Sequence, residues 1–245
     1  MLTSYDDVPC DELRARCGAT KVAAFAQCSS TMDVAHALAA EGAPHGTIVV
    51  AEAQGAGRGR SGKAWTSAPR RGVWASVLLR EPVVAPAGLL SLRTGITLAR
   101  ALDRHTPSAV RLKWPNDLFV GDAKLAGILT EARWRGETLE WLVVGVGVNV
   151  GAQSAEQGSA SLPDARRADV LVDVVQSVLA AATAEGPLAP RELAEFAARD
   201  IAVGRHVTSP LEGVVLGIGD SGGVRIATRD GERVAVAGSL MFRTS

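Results

Sequence analysis

Apolar residues recur along the first half of the chain with two spacings, one typical of strands and the other of helices. Continuous runs rich in β-branched residues at 46–53 and 73–80 predict buried strands. Helical spacing begins after Ser30 and stops at Gly42, and a serine is a common cap at the start of a helix. A second helical pattern covers 89–105 and is closed by a proline shortly afterwards.

The second half continues this mixed pattern until its composition changes near Gly204. Short strands are expected at 110–114 and 118–120, a hairpin of longer strands around Arg135-Gly136, and helices at about 166–184 and 190–202. Beyond Gly204, short β runs alternate with glycine and Asp-Gly turns, as in a small β-barrel or β-sandwich. We therefore predict an α+β protein with an N-terminal extension (1–19), a main domain with a mixed β-sheet and helices (20–203) and a small C-terminal β domain (204–245).

Composition narrows the class of protein. The 245 residues carry 26 basic and 26 acidic side chains, so the formal net charge is zero and no overall field attracts nucleic acid or a membrane. The first residues lack a basic stretch followed by an apolar core, and no run approaches the ~20 apolar residues of a membrane span. Three cysteines without metal-ligand spacing favour neither a disulfide framework nor a zinc site. We expect a cytoplasmic protein without nucleic-acid or membrane partners.

The segment 55–65, GAGRGRSGKAW, concentrates glycine and positive charge between two predicted strands. Glycine lets the backbone approach a ligand closely, and free N–H groups together with arginines can surround an anion. Two features argue against a phosphate-binding P-loop: Ala64 replaces the hydroxyl residue, and a strand rather than a helix is predicted to follow. On its own, the segment is equally compatible with a solvated surface loop or an RNA-binding tether.

Two further segments carry residues that a plain β-hairpin does not need. In RLKWPNDLFVGDAKLAGILTEA (111–132), a proline turn is followed by an amide and a carboxylate, Asn116 and Asp117. Lys124 begins an apolar strand, where an ammonium group needs an anion or solvent. Gly127 within that strand indicates that a ligand or another backbone comes close. A later strand ends in GVGVN, whose glycines also leave room beside the sheet.

Together and in this order, these segments resemble the biotin protein ligases. The matching strings are SSTMD (29–33), AEAQGAGRGRSGKAW (51–65), RLKWPNDL (111–118), KLAGIL (124–129) and GVGVN (145–149). They occupy most of the chain between residues 20 and 150, and KWPND followed by KLAGIL downstream of GRGR is highly specific. The tail is similar to the small C-terminal β domain of that family.

The resemblance implies both a fold and an activity. The main domain is expected to be a class II synthetase-like catalytic domain that binds biotin and ATP, and the tail an SH3-like β-barrel. In this family the biotin carboxylate attacks the α-phosphate of ATP, giving biotinyl-adenylate and pyrophosphate. A lysine of a biotin carboxyl carrier protein then displaces AMP. Such catalysis depends on positioning and charge stabilisation, and the implied substrates and cofactor are biotin, ATP and Mg²⁺.

The same resemblance implies roles for individual residues. Those expected to bind biotin are Ser30, Thr31, Gln54, Arg58, Gly59, Arg60, Lys124 and Gly127. Those expected on the nucleotide side are Arg60, Trp65, Lys113, Asn116 and Asn149. Lys124 and Arg58 would stabilise negative charge during catalysis, and Trp65 would close over the adenylate. Asp117 would orient or deprotonate the incoming lysine, or hold Mg²⁺.

Three positions depart from the usual pattern of the family. Met32 stands where asparagine is common, and Ser61 and Lys63 stand where some members carry further arginines. The match begins near residue 20, which leaves no room for the DNA-binding domain of some members and favours the monofunctional form. Both a monomer and a homodimer stay open.

Two other functions also stay open at this stage. A ligase or transferase for lipoate or octanoate would share the fold, although the GRGR and KWPND–KLAGIL strings argue against it. A non-catalytic biotin sensor would bind biotin tightly and release no AMP.

Overall fold

Strands and helices alternate through most of the chain, of which the computed structural model describes residues 1–80, 86–151 and 158–243. The strands are β1 (Ser4–Tyr5), β2 (Val8–Pro9), β3 (Lys21–Cys28), β4 (Thr47–Gln54), β5 (Gly72–Leu79), β6 (Arg111–Lys113), β7 (Asp117–Val120), β8 (Ala123–Arg135), β9 (Thr138–Asn149), β10 (His206–Ser209), β11 (Gly213–Ile218), β12 (Val224–Thr228), β13 (Gly231–Ala235) and β14 (Met241–Phe242). The helices are α1 (Cys10–Cys17), α2 (Thr31–Ala40), α3 (Ala87–Leu102), α4 (Arg167–Ala182) and α5 (Pro190–Arg199). Every strand and helix predicted between residues 30 and 202 is present, with its ends within a few residues of the predicted positions.

Seven strands form one mixed sheet in the order β3-β4-β5-β9-β8-β7-β6. β3 and β4 are parallel and connected through α2, whereas all other neighbouring pairs in this sheet are antiparallel. The C-terminal ends of β4 and β9 therefore lie beside the N-terminal ends of β5 and β8, at the same end of the sheet. The glycine–arginine loop (55–65), the start of KLAGIL (124–129) and the end of GVGVN (145–149) all lie at this end of the sheet.

Helices cover the sheet on both faces, because neighbouring residues of a strand point to opposite sides. Val49 on β4 packs with Met32 and Trp141 beneath α2, whereas Ile48 and Val50 belong to the larger core on the other face. Helices α1, α3 and α4 contact the sheet or each other on that second face. Among the described residues, no helix combines the length and apolar content that a membrane span requires.

Five C-terminal strands form an antiparallel sheet in the order β13-β12-β11-β10-β14. Val207 and Ile226 of this sheet join the same apolar core as the main domain. The indole Nε1 of Trp114 donates to the carbonyl of Gly222 at 2.9 Å, which is a second link between the two sheets. The α+β class and the C-terminal β unit are thus confirmed. The exact domain limits, and the closure of the C-terminal sheet into a barrel, stay predictions.

A buried arginine joins α3 to the connection between α4 and α5. Only 2% of the Arg93 side chain is exposed; its Nε donates to Glu192 Oε1 at 3.0 Å, and its terminal nitrogens donate to the carbonyls of residues 184–187. We expect Arg93→Met to lower the free energy of unfolding by about 3–5 kcal/mol, because it leaves Glu192 without its ion-pair partner and several carbonyls without their donor. Urea denaturation measures the loss. The control is Arg100→Met, on the same helix as Arg93, which breaks a solvent-exposed ion pair with Glu195 of α5 and should cost less than about 1 kcal/mol. Equal losses in the two variants would contradict the prediction.

Candidate active site

A cavity of about 660 Å³ opens at the end of the main sheet where β4 and β9 end and β5 and β8 begin. The loop 55–71 between β4 and β5 forms one wall, and segment 238–242 of the C-terminal sheet forms another. Every site residue proposed from the sequence lines this cavity: Ser30, Thr31, Gln54, Arg58, Gly59, Arg60, Trp65, Lys113, Asn116, Asp117, Lys124, Gly127 and Asn149. The fold therefore gathers side chains from segments more than a hundred residues apart, although their individual roles stay predictions.

A chain of hydrogen bonds orients the polar groups between α2 and the end of β4. Ser30 caps α2, since its Oγ accepts from the backbone N of Met32 at 3.3 Å. Gln54 Oε1 accepts from the backbone N of Thr31 at 2.8 Å and from its hydroxyl at 3.2 Å. Gln54 Nε2 donates to Ser67 Oγ at 2.6 Å. Because both ends of the Gln54 amide are bonded, its orientation is fixed before any ligand arrives.

Two serines of this network were not predicted from the sequence. Ser76 on β5 is fully buried, and its Oγ lies 2.8 Å from the Thr31 hydroxyl. Ser67, which bonds Gln54, also donates to the carbonyl of Trp65 at 3.3 Å. No local motif marks either serine. Only the pairing of β4 with β5, which sets Ser76 opposite Val49, brings it to the start of α2.

The glycine–arginine loop is folded back on itself at its base. The backbone N of Trp65 donates to the carbonyl of Gly57 at 2.9 Å, and that of Gly59 donates to the carbonyl of Lys63 at 2.7 Å. A Cβ on Gly57 would lie 2.4 Å from the carbonyl oxygen of Trp65, which is closer than any real contact. The first glycine of GRGR is therefore required by close backbone approach.

The indole of Trp65 lies across the floor of the cavity. A Cβ on Gly147 would come within 2.6 Å of the ring, and one on Gly127 within 3.0 Å, so both glycines make room for it. The ring also meets Trp74 edge-on, with centroids 6.4 Å apart. Its Nε1 is buried without a hydrogen-bond partner among the described residues. A buried donor of this kind is matched when a ligand supplies an acceptor; a lid over an adenylate stays a prediction.

Two lysine ammonium groups, those of Lys124 and Lys113, lie in the part of the cavity next to Trp65 and the C-terminal sheet. Lys124 Nζ lies 2.7 Å from Asp117 Oδ1 and 5.1 Å from the Trp65 ring centroid. Lys113 Nζ lies 4.7 Å from the ring centroid of Phe242 on β14. Burial lowers the pKa of Lys113, Asp117 opposes that effect, and neighbouring cations including Lys124 lower it further. A site that depresses the pKa of one ammonium group through burial and other cations favours an anionic ligand.

Arg60 connects the loop to the C-terminal sheet. Its Nη1 donates to the carbonyl of Gly238 at 2.9 Å and lies 3.4 Å from Asn116 Oδ1. Burial lowers the pKa of Arg60, and Asp117 opposes the effect. The amide nitrogen of Asn116 donates in turn to the carbonyl of Ile128 at 2.7 Å. These contacts hold the KWPND turn and the loop at a fixed separation.

Asn149 ends β9 at the edge of the cavity and is mostly buried. Its Nδ2 donates to the carbonyl of Ala160 at 3.0 Å, so the amide also stabilises the chain beyond the strand.

Segment 238–242, which no motif indicated, forms another wall of the cavity. The sequence could not reveal that wall, because it depends on how two sheets pack together.

Metal ligands are sparse in this part of the molecule. The described residues contain no group of three or more histidine, cysteine or acidic side chains that could hold a metal ion. Among the described residues that line the cavity, Asp117 is the sole carboxylate. Mg²⁺ is commonly held by one or two carboxylates together with substrate phosphates, so this donor set fits Mg²⁺ only when a nucleotide completes it.

Fold and cavity together define an α+β domain with a cationic, glycine-lined cavity at one end of its main sheet. Residues 24–149 match the family model described as the biotin/lipoate A/B protein ligase family. The chain belongs to this family. The resemblance to biotin protein ligases seen in the sequence is confirmed by relatives of that name.

Two relatives and one solved structure illustrate the similarity. The bifunctional ligase/repressor BirA of Bacillus subtilis is 36% identical over 126 residues, which are 51% of this chain and 39% of that protein. The biotin–[acetyl-CoA-carboxylase] ligase of Mycobacterium tuberculosis is 39% identical over 131 residues, 51% of this chain and 47% of that protein. The matches thus span less than half of these relatives. The biotin protein ligase of Aquifex aeolicus in complex with biotin and ATP has a TM-score of 0.77 at 24% identity, covering 92% of this chain and 100% of that one, and it shares the fold.

Proposed function

We propose that this protein is an ATP-dependent ligase that forms biotinyl-adenylate and transfers biotin to a lysine of a biotin carboxyl carrier protein. The observation that carries the proposal is the convergence of Lys124, Arg58 and Arg60 on one glycine-floored cavity next to the polar network of Thr31 and Gln54. The cations suit a carboxylate and a phosphate, and the network suits a polar ring. The names of the similar proteins support the same substrates.

In the first step, a carboxylate oxygen of biotin attacks the α-phosphorus of ATP. A new P–O bond forms, the P–O bond to the β-phosphate breaks, and pyrophosphate leaves with the electron pair. Negative charge accumulates on the α-phosphate oxygens, and Lys124 and Arg58 would stabilise it. Arg60 would hold the phosphate through its planar guanidinium while its other edge stays bonded to Gly238.

In the second step, the amine of a carrier lysine attacks the carbonyl carbon of the mixed anhydride. The C–N bond forms, the C–O bond to AMP breaks, and the amine loses a proton. Asp117 would orient that amine or accept its proton, since its carboxylate lies in the cavity 2.7 Å from Lys124. The ammonium of Lys124 would remain beside the leaving phosphate.

The nucleotide would occupy the side of the cavity formed by Trp65, Lys113, Asn116 and Asn149. Lys113 already lies among aromatic rings and cations, and it gains an anionic partner when a phosphate binds. Asp117 would hold Mg²⁺ together with nucleotide phosphates, and the ion would neutralise phosphate charge when bound. The carrier would be a carboxylase subunit, as the names of similar ligases indicate.

A lipoate ligase is the second candidate, because the family that the chain belongs to includes lipoate ligases by its description. Biotin and lipoate both end in a valeryl carboxylate, so the cations would serve either acid. The polar groups of Thr31 and Gln54 favour biotin, whose ureido ring needs hydrogen-bond partners that a dithiolane does not.

Transfer to a carrier tests the complete function. Purified protein is mixed with ATP, Mg²⁺, biotin and an apo biotin carboxyl carrier domain. The mass of the carrier is then measured by mass spectrometry. We expect the carrier to gain one biotinyl group, and a carrier whose acceptor lysine is replaced by arginine to gain none. A carrier that stays unmodified, while biotin binds tightly, would instead favour a sensor.

A further inference from the structure

Arg58 is held from outside the cavity by two carboxylates. Its Nη2 lies 2.9 Å from Asp33 Oδ1, in the first turn of α2, and 3.0 Å from Glu131 Oε2, on β8. Neither acidic side chain lines the cavity, whereas Arg58 does. The two carboxylates therefore act on the arginine from the side that a ligand does not occupy.

His36 on α2 fixes the position of one of these carboxylates. Trp141 Nε1 lies 3.0 Å from His36 Nδ1, and because an indole N–H can only donate, Nδ1 accepts and Nε2 carries the proton. Nε2 then donates to Glu131 Oε2 at 3.0 Å, the same oxygen that accepts from Arg58. Trp141, a nearly buried residue on β9, thus fixes the orientation of the imidazole ring.

We propose that Glu131, oriented by His36, is a positioning residue for Arg58 and holds its guanidinium and the 55–65 loop in place before a ligand binds. The proposal deepens the proposed ligase function and rests on it. Both carboxylates contact Nη2, so the planar group can present its other N–H groups to a carboxylate or phosphate. An arginine that is already oriented loses less conformational entropy when the ligand arrives, which tightens binding.

Four variants separate positioning from a general structural role. His36→Leu removes both hydrogen bonds of the imidazole, whereas His36→Gln can still accept from Trp141 and donate to Glu131. Glu131→Gln keeps the shape of the side chain and removes its charge. Glu140→Gln is the matched control, because it breaks an ion pair with Arg135 on the same β8–β9 hairpin, away from the cavity.

Steady-state kinetics of adenylate formation provide the first readout. His36→Leu and Glu131→Gln should raise the KM for biotin about tenfold, the effect of weakening one hydrogen bond between charged groups, with kcat changed less than about twofold. His36→Gln and Glu140→Gln should stay near the wild-type values. An unchanged KM in both disruptive variants would overturn the proposal, and a lowered KM would as well, since the carboxylates would then restrain Arg58 from its ligand.

Trypsin digestion of the ligand-free protein provides a second readout that does not depend on ligase activity. Cleavage after Arg60 and Lys63 should be about fivefold faster in His36→Leu and Glu131→Gln than in the wild type, because the loop opens more often. Equal cleavage in all variants would overturn the proposal even if the wild type proves to be an active ligase. If the wild type forms no adenylate, the ligase proposal fails, whereas faster cleavage would still support the restraint of Arg58.

Discussion

Lys124→Ala should nearly abolish adenylate formation while leaving the protein folded. The ammonium group lies 2.7 Å from Asp117 and 5.1 Å from the Trp65 ring centroid, where the reacting carboxylate and phosphate would meet. We expect kcat/KM for pyrophosphate release to fall about 10²- to 10³-fold, the usual effect of removing one group that stabilises developing charge. The side chain is more than a third exposed, so its removal leaves no packed cavity and little change in stability.

The matched control for this variant is Lys21→Ala. Lys21 is an exposed lysine at the start of β3, and its loss removes the same charge away from the cavity. It should retain the wild-type rate and the wild-type circular dichroism spectrum. If Lys124→Ala also retains the wild-type rate, Lys124 has no part in the chemistry.

Gly57→Ala should lower ligand affinity and rate about a hundredfold through the backbone alone. The added Cβ would lie 2.4 Å from the backbone carbonyl oxygen of Trp65 and 3.0 Å from the side-chain Nε2 of Gln54, so the base of the loop must shift. Displacement of positioning groups by about 1 Å can cost a factor of this size. Isothermal titration with biotin and the adenylation rate measure the two effects.

Gly55→Ala is the control within the same loop. A Cβ there would meet its nearest atoms at 3.9 Å, which is ordinary van der Waals contact. This variant should bind and react like the wild type. If both glycine variants lose activity equally, loop flexibility rather than the close approach at Gly57 would be the cause.

Much of the fold could be predicted from local sequence patterns. The serine before α2 indicated the start of that helix, and its hydroxyl does cap the helix in the structure. The Arg135-Gly136 turn indicated the β8–β9 hairpin, and the register places Arg135 opposite Thr138. These signals are strong because each depends on neighbouring residues only.

Only those residues of the candidate site that belong to a recognisable motif could be predicted from the sequence. GRGR and KWPND–KLAGIL gave residues that the structure gathers around one cavity. Ser67, Ser76 and Glu131 lie outside the matching strings. Their contacts arise from strand register and from the packing of α2 on the sheet. The wall formed by residues 238–242 depends on packing between sheets, which a single sequence does not encode in any short segment.

The identity of the acid that the site activates is the central claim, and one measurement tests it most directly. Purified protein is incubated with ATP and Mg²⁺ together with equal amounts of biotin and lipoate, and the acyl-adenylates are identified by mass spectrometry. We predict biotinyl-adenylate as the dominant product, formed with an equal amount of pyrophosphate. Lipoyl-adenylate as the dominant product, or no adenylate from either acid, would contradict the account.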